Sequence, residues 1–162
     1  MRDLAATVLA LLVLTLPARA DEKKVPLGKV PKVVLDGAKK SFPNAEIVGA
    51  SKETDLGKVA YEVELKVGGK QIDVTITPDG TLTLIEMQIE PADLPLEVVA
   101  ALAQRYPKST FKFVEGVITV KDGKGELDYY EALLEVARNK EVEVRVTPDG
   151  KIVDEVVNTP KR

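Results

Sequence analysis

The residues best placed to do chemistry are carboxylates. Glu62 and Glu64 stand two apart in YEVEL and Asp73 follows in QIDVTI, while Glu131, Glu141 and Glu143 recur in YEALLEV and EVEVRV. Side chains two apart on an extended chain share a face, so each set gathers on one side of a strand pair. A protonated and an ionised carboxyl together can cleave a glycoside, and several ionised ones can hold a hard cation. The alternative is a solvated face balanced by Lys66, Lys70 and Arg145. No pocket-forming loop accompanies the carboxylates, which favours the solvated face, and no catalytic residue or metal ligand is assigned.

Absent residue types narrow the chemistry further. The chain has no His and no Cys. That removes Ser-His-Asp and Cys-His nucleophiles, His- or Cys-ligated zinc, haem on a His, thiol redox chemistry and disulfides. No cofactor is expected. A net charge of −3, from 23 basic and 26 acidic residues, argues against a nucleic-acid or anionic-membrane partner.

Residues 1–20 read as a signal peptide: Arg2, then an apolar run from Leu4 to Leu16, then Ala18-Arg19-Ala20 before Asp21. The run is too short to span a bilayer. The expected location is the periplasm or the exterior of a bacterium, with no membrane attachment after cleavage. Residues 21–29 read as a flexible N-terminal segment and 158–162 as a C-terminal tail.

The elements that must position the carboxylates are written twice. QIDVTITPDG (Gln71 to Gly80) matches EVEVRVTPDG (Glu141 to Gly150), YEVELKV matches YEALLEV, and VPKVVLDGAKKSFPNA (Val30 to Ala45) matches LPLEVVAALAQRYPKS (Leu94 to Ser109). Matching landmarks in one order predict tandem duplication, with a short insertion around EGVITVKDGKG. The expected fold is α+β: two tandem α-β-β-β-β modules, 30–89 and 94–157, each a helix packed on a four-stranded antiparallel sheet. In the first helix Pro31 suits the first turn, Val30, Val33, Val34 and Phe42 share a face, and Pro43 ends it. Pro95, then Val98, Leu102 and Tyr106, then Pro107 repeat the plan, with Asp93 as a candidate cap.

Strict alternation in Val59–Val67, Gln71–Ile76 and Glu141–Val146 predicts antiparallel strands with one face on a core. Gly68-Gly69 and Asn139-Lys140 supply tight hairpins. In each Thr-Pro-Asp-Gly stretch Pro presets the second turn position, Asp tolerates the third, and Gly takes the left-handed one. The Asp79 and Asp149 carboxylates therefore read as turn residues, since a calcium loop needs further oxygen ligands at fixed spacing.

A helix ending in aromatic-Pro, then YEVEL, GKQIDV and a DG turn, resembles the PepSY-like family, also described as β-lactamase-inhibitor-like. Phe42-Pro43, Lys52 to Leu65, Gly69 to Gly80, Leu94 to Pro107 and VEVRVTPDG carry the resemblance, which covers most of residues 30–157. It implies a secreted or periplasmic, non-enzymatic protein whose open sheet face and a projecting acidic hairpin grip a target enzyme. The matching hairpin here, Val67-Gly68-Gly69-Lys70, has no carboxylate at its tip. That departure argues against β-lactamase as the target and leaves another envelope enzyme open.

The polar alternation breaks where Tyr129 stands in place of Ala60 and Leu133 in place of Glu64. Such residues on a polar sheet can anchor a partner, or can be covered by the insertion at Val117 to Val120. Tyr129, Leu133 and Arg145 are the candidate partner-binding residues; Glu62, Glu64 and Asp73 are the candidate carboxylate cluster. TLTLIEMQI (Thr81 to Ile89) changes phase between Leu84 and Ile85, through a bulge or through burial of both faces. The expected function is a protein-binding modulator or inhibitor of an envelope or secreted enzyme. The alternative is a metal-ion or small-ligand sensor using the outward carboxylates. Oligomeric state is not legible.

Overall fold

The structure, a computed structural model, describes residues 23–55, 57–137 and 140–158. The signal-peptide reading, Asn139 of the second hairpin and the tail beyond Asn158 lie outside the described residues. Two helices, α1 (Lys32–Ser41) and α2 (Leu96–Arg105), accompany nine strands. These are β1 (Lys23–Lys24), β2 (Glu46–Asp55), β3 (Lys58–Val67), β4 (Lys70–Ile76), β5 (Leu82–Gln88), β6 (Thr110–Lys121), β7 (Lys124–Ala137), β8 (Lys140–Val146) and β9 (Ile152–Asn158). Neither helix is long and apolar enough to cross a membrane.

The expected pair of tandem helix-plus-four-strand modules is corrected. The strands form one antiparallel sheet in the order β1 to β9, each paired with its neighbours in sequence, so the protein is mostly β. The joint that overturns the two-module reading is β5 with β6, which pair from Leu84↔Thr119 to Gln88↔Glu115. A strand edge left unpaired would strand its N–H and C=O groups, and this register satisfies them across what sequence reading takes as a module boundary.

Both helices lie on one face of the sheet. Under α1, Val34 and Ala38 pack with Val63, Leu65, Ile72, Val74 and Ile76; under α2, Val98 and Leu102 pack with Val114, Ala132, Leu134, Val142, Val144 and Val146. Ile85 and Met87 of β5 join the first cluster, and Ile89, just past the end of β5, joins the second. Each fully buried Val, Leu or Ile contributes about 1.5–3 kcal/mol. Val33, expected on the buried stripe, is 45% exposed; the stripe runs through Val30, Val34 and Ala38. Asp93 does not cap α2: it ends a 3-10 turn, and Pro95 holds the cap position without a side-chain hydrogen bond.

The repeated TPDG stretches are turns, and they dock on the helices. In each, the Gly amide donates to the Thr carbonyl at 2.8 Å, and the Thr hydroxyl bonds the Asp carboxylate. Gly80 (φ +91°) and Gly150 (φ +84°) take the left-handed position. A Cβ on Gly80 would stand 2.9 Å from the Val33 carbonyl oxygen, and one on Gly150 2.7 Å from that of Glu97. Glycine is thus required twice over, by backbone conformation and by the approach of a helix's first turn.

The phase change in β5 is a bulge. Ile76 pairs with Leu82 but Thr75 with Leu84, leaving Thr83 extra, with its hydroxyl donating to the Thr75 carbonyl at 3.1 Å. β9 has the same device: Val146 pairs with Ile152 and Arg145 with Asp154, leaving Val153 extra.

Candidate interaction face

No helix covers the other face of the sheet, and its residues follow from the pairing. Cross-strand partners share a face. One row runs Glu64, Asp73, Glu86, Val117, Tyr129 across β3 to β7. A second runs Gln88, Glu115, Glu131, Arg145, Asp154 across β5 to β9. Phe113, Leu133, Glu143 and Val156 align beside them. Carboxylates and apolar side chains are therefore interleaved. Val117 is fully buried between its partners Glu86 and Tyr129.

The candidate partner-binding residues share this face, and two of them touch. The Arg145 guanidinium lies 5.4 Å from the centre of the Tyr129 ring, within cation–π range. It also donates from Nε to Glu131 Oε2 at 2.7 Å and stands 3.7 Å from both Glu143 Oε1 and Asp154 Oδ2. One cation thus serves three carboxylates. Leu133 lies between Phe113 and Glu143 in the pairing and, like Tyr129, is half-buried. The insertion expected near Val117 to Val120 lengthens β6 and β7, which turn at Asp122-Gly123 with positive φ at both residues.

The candidate carboxylate cluster is less compact. Glu64 and Asp73 are direct partners, whereas Glu62 faces Thr75. Asp73 accepts from Gln71 Nε2 at 2.8 Å. The Glu64 carboxylate lies over Gly49, where a Cβ would meet it at 2.7 Å. Among the described residues no group of three or more carboxylates is placed to hold a metal ion.

Two carboxyls that sequence reading passed over carry the strongest electrostatic signature. Burial, then the Glu131 and Asp73 charges, raise Glu86 from 4.5 to about 7. Burial, then Glu86 and Glu131, raise Glu115 from 4.5 to about 8. Desolvation and like charge both disfavour the ionised form. The available signal was a single Glu inside an apolar run, in LTLIEMQI and FKFVEGVI, on strands that turn out to be the middle of the sheet. Ser51 was missed too. It is fully buried, its hydroxyl has no hydrogen-bond partner, and it faces Glu62 on this side of the sheet.

On the helix side, Glu155 ties β9 to the end of α2. It accepts from Arg105 Nε at 2.9 Å, Arg105 Nη2 at 3.1 Å and Tyr106 Oη at 2.6 Å.

The fold is shared with solved bacterial proteins. A DUF2874 family protein from Bacteroides uniformis superimposes with a TM-score of 0.63 at 18% identity, covering 78% of this chain and 88% of that one. A protein from Bacteroides eggerthii, named provisionally as periplasmic, gives 0.64 at 18% identity, covering 79% and 88%. A BLIP-like protein from Bacteroides fragilis gives 0.58 at 17% identity, covering 81% and 88%. No family model and no curated protein matches the sequence.

Proposed function

We propose that this chain is a non-catalytic, exported binding protein that holds a protein partner against its open sheet face and thereby modulates an envelope or secreted enzyme. The observation that carries the reading is the interleaving of apolar and charged side chains on a face no helix covers, with the half-buried Tyr129, Leu133 and Phe113 beside Arg145 and its carboxylates. Aromatic and aliphatic anchors beside an Arg are the composition of binding hot spots. The PepSY-like resemblance and the fold shared with a BLIP-like protein support a binding role. The apolar N-terminal run, and the fold shared with a protein named provisionally as periplasmic, support export.

The test is capture from envelope extract with the full chain as bait, alongside Leu133→Asp, read by mass spectrometry. A protein retained by the native chain and lost with a Leu133→Asp variant of unchanged melting temperature supports the face as the site. Equal retention by both would move the site off Leu133.

A further inference from the structure

We propose that β9 pairs antiparallel with β9 of a second copy of this chain, about a two-fold axis at Glu155, continuing the sheet across two molecules. This edge is separate from the open face, so the pairing stands or falls independently of the binding role proposed above.

The repeat shows which edge is left. Inside the chain the last strand of the first region, β5, is taken up by the first strand of the second, β6. In the second region β9 holds the place of β5, with the same turn before it and the same bulge at its start. Among the described residues its one pairing partner is β8. The place of β6 in the first region belongs to β2, and there the edge is already closed. β1 pairs with Ser51 and Lys52, and Val25 N donates to the Ala50 carbonyl at 2.9 Å, as Ile89 N donates to the Val114 carbonyl at 3.0 Å. A bulge at Val48 interrupts the start of β2, another device that blunts an edge. Pairing of β9 with β2 of another copy would run on into a filament, and β1 blocks it. One open edge per chain leaves β9 to pair with itself, which closes at two chains.

The edge has what such pairing needs. Alternate residues of an antiparallel strand turn their backbone groups to opposite neighbours. Ile89 N bonds to Val114 across the internal joint, so Ile85 and Met87 face β6 with it. Their counterparts Glu155 and Val157 face the free edge. The stretch from Ile152 to Val157 contains no Lys and no Pro, residues that commonly guard an edge. Val153 and Val157 are 47% and 55% exposed. With Glu155 at the axis, Val153 of each copy stands opposite Val157 of the other, so both exposed valines gain a cross-strand partner. Each Glu155 is held by its own Arg105 and Tyr106, which offsets the repulsion between the two carboxylates.

The test is sedimentation equilibrium of the full chain across a range of concentrations. The expected mass rises from one chain to two and no further. Val157→Pro removes an N–H that faces the free edge and none from the β8 ladder, a position where an edge strand tolerates proline. It should shift the midpoint of dimerisation at least about tenfold higher. Val157→Lys, which puts a charge on the edge, should act alike, and melting at concentrations where the native chain is single should show both variants folded. The chain has no cysteine, so introduced thiols report the register. Val153→Cys mixed with Val157→Cys should cross-link under mild oxidation, because facing residues of a hydrogen-bonded pair have Cα atoms about 5.5 Å apart. Neither variant alone should link comparably. A single-chain mass up to about 1 mM, growth beyond two chains, or equal cross-linking by either variant alone would overturn the pairing. Leu133→Asp should leave the dimer intact; a dimer that it dissolves would form through the open face, and the edge pairing would fall.

Discussion

Corresponding registers of the open face are built from different chemistry in the two regions of the sheet. Across β3, β4 and β5, Glu62, Thr75 and Leu84 face one another; across β7, β8 and β9 the same places hold Glu131, Arg145 and Asp154. The contrast continues beside them, where Glu64 and Asp73 correspond to Leu133 and Glu143. On the helix side the regions agree: Ile72, Val74 and Ile76 alternate along β4 as Val142, Val144 and Val146 do along β8, and each TPDG turn meets the second residue of a helix. What packing requires is repeated, and what the open face presents is not. The open face is therefore where the two regions differ in what they can bind.

The agreement can be broken first, and at the largest cost. Gly80→Ala and Gly150→Ala each add a Cβ at positive φ within 3 Å of a helix carbonyl. Each should destabilise by about 2–4 kcal/mol, read from urea unfolding. Similar losses at the two sites would confirm that the turns do the same job. A cost under about 0.5 kcal/mol at either, the range of an ordinary surface change, would show that the turn there does not depend on its helix.

These turns were legible in the sequence because their requirements are local: Pro, Asp and Gly fix the backbone within four residues. The alternating strands and both helices were legible for the same reason. The joining of β5 to β6 was not. Hydrogen bonding between Leu84–Gln88 and Glu115–Thr119 depends on where two distant segments meet, and β5 hides its alternation behind the bulge at Thr83. Tyr129, Leu133 and Arg145 could be placed on one face by parity alone. That Arg145 gathers Asp154 could not, because the bulge at Val153 resets the parity of β9. Glu86 and Glu115 escaped notice since their significance is burial on central strands.

The difference between the regions is sharpened by removing its cation. Arg145→Ala leaves Glu131, Glu143 and Asp154 close together on a half-buried face. The loss should be about 2 kcal/mol at low salt, since stranding partly buried charges costs more than an exposed pair gains. It should shrink in high salt, which screens the repulsion among them. Thermal melts at low and high salt test this. A loss independent of salt would mean that Arg145 contributes through packing on Tyr129 rather than through its charge.

The smallest expected effect separates the carboxylates that Arg145 serves from those it does not. Glu86 and Glu115 keep their protons in the folded chain up to about pH 7 and about pH 8, against ordinary values of 4.5. Between 4.5 and those values the native chain binds more protons than the unfolded one, so stability falls as pH rises across that window and levels off above it. Burial and mutual repulsion make the two groups act as a pair, so the decline belongs to the pair rather than to either carboxyl alone. Glu86→Gln with Glu115→Gln keeps the shapes and removes both ionisations. The double variant should match the native chain near pH 4.5, exceed it by several degrees in melting temperature at pH 8.5, and show a flatter profile between. A profile as steep as the native one would mean that Glu86 and Glu115 do not set the pH dependence. Neither Glu86 nor Glu115 would then be the group whose ionisation the fold resists.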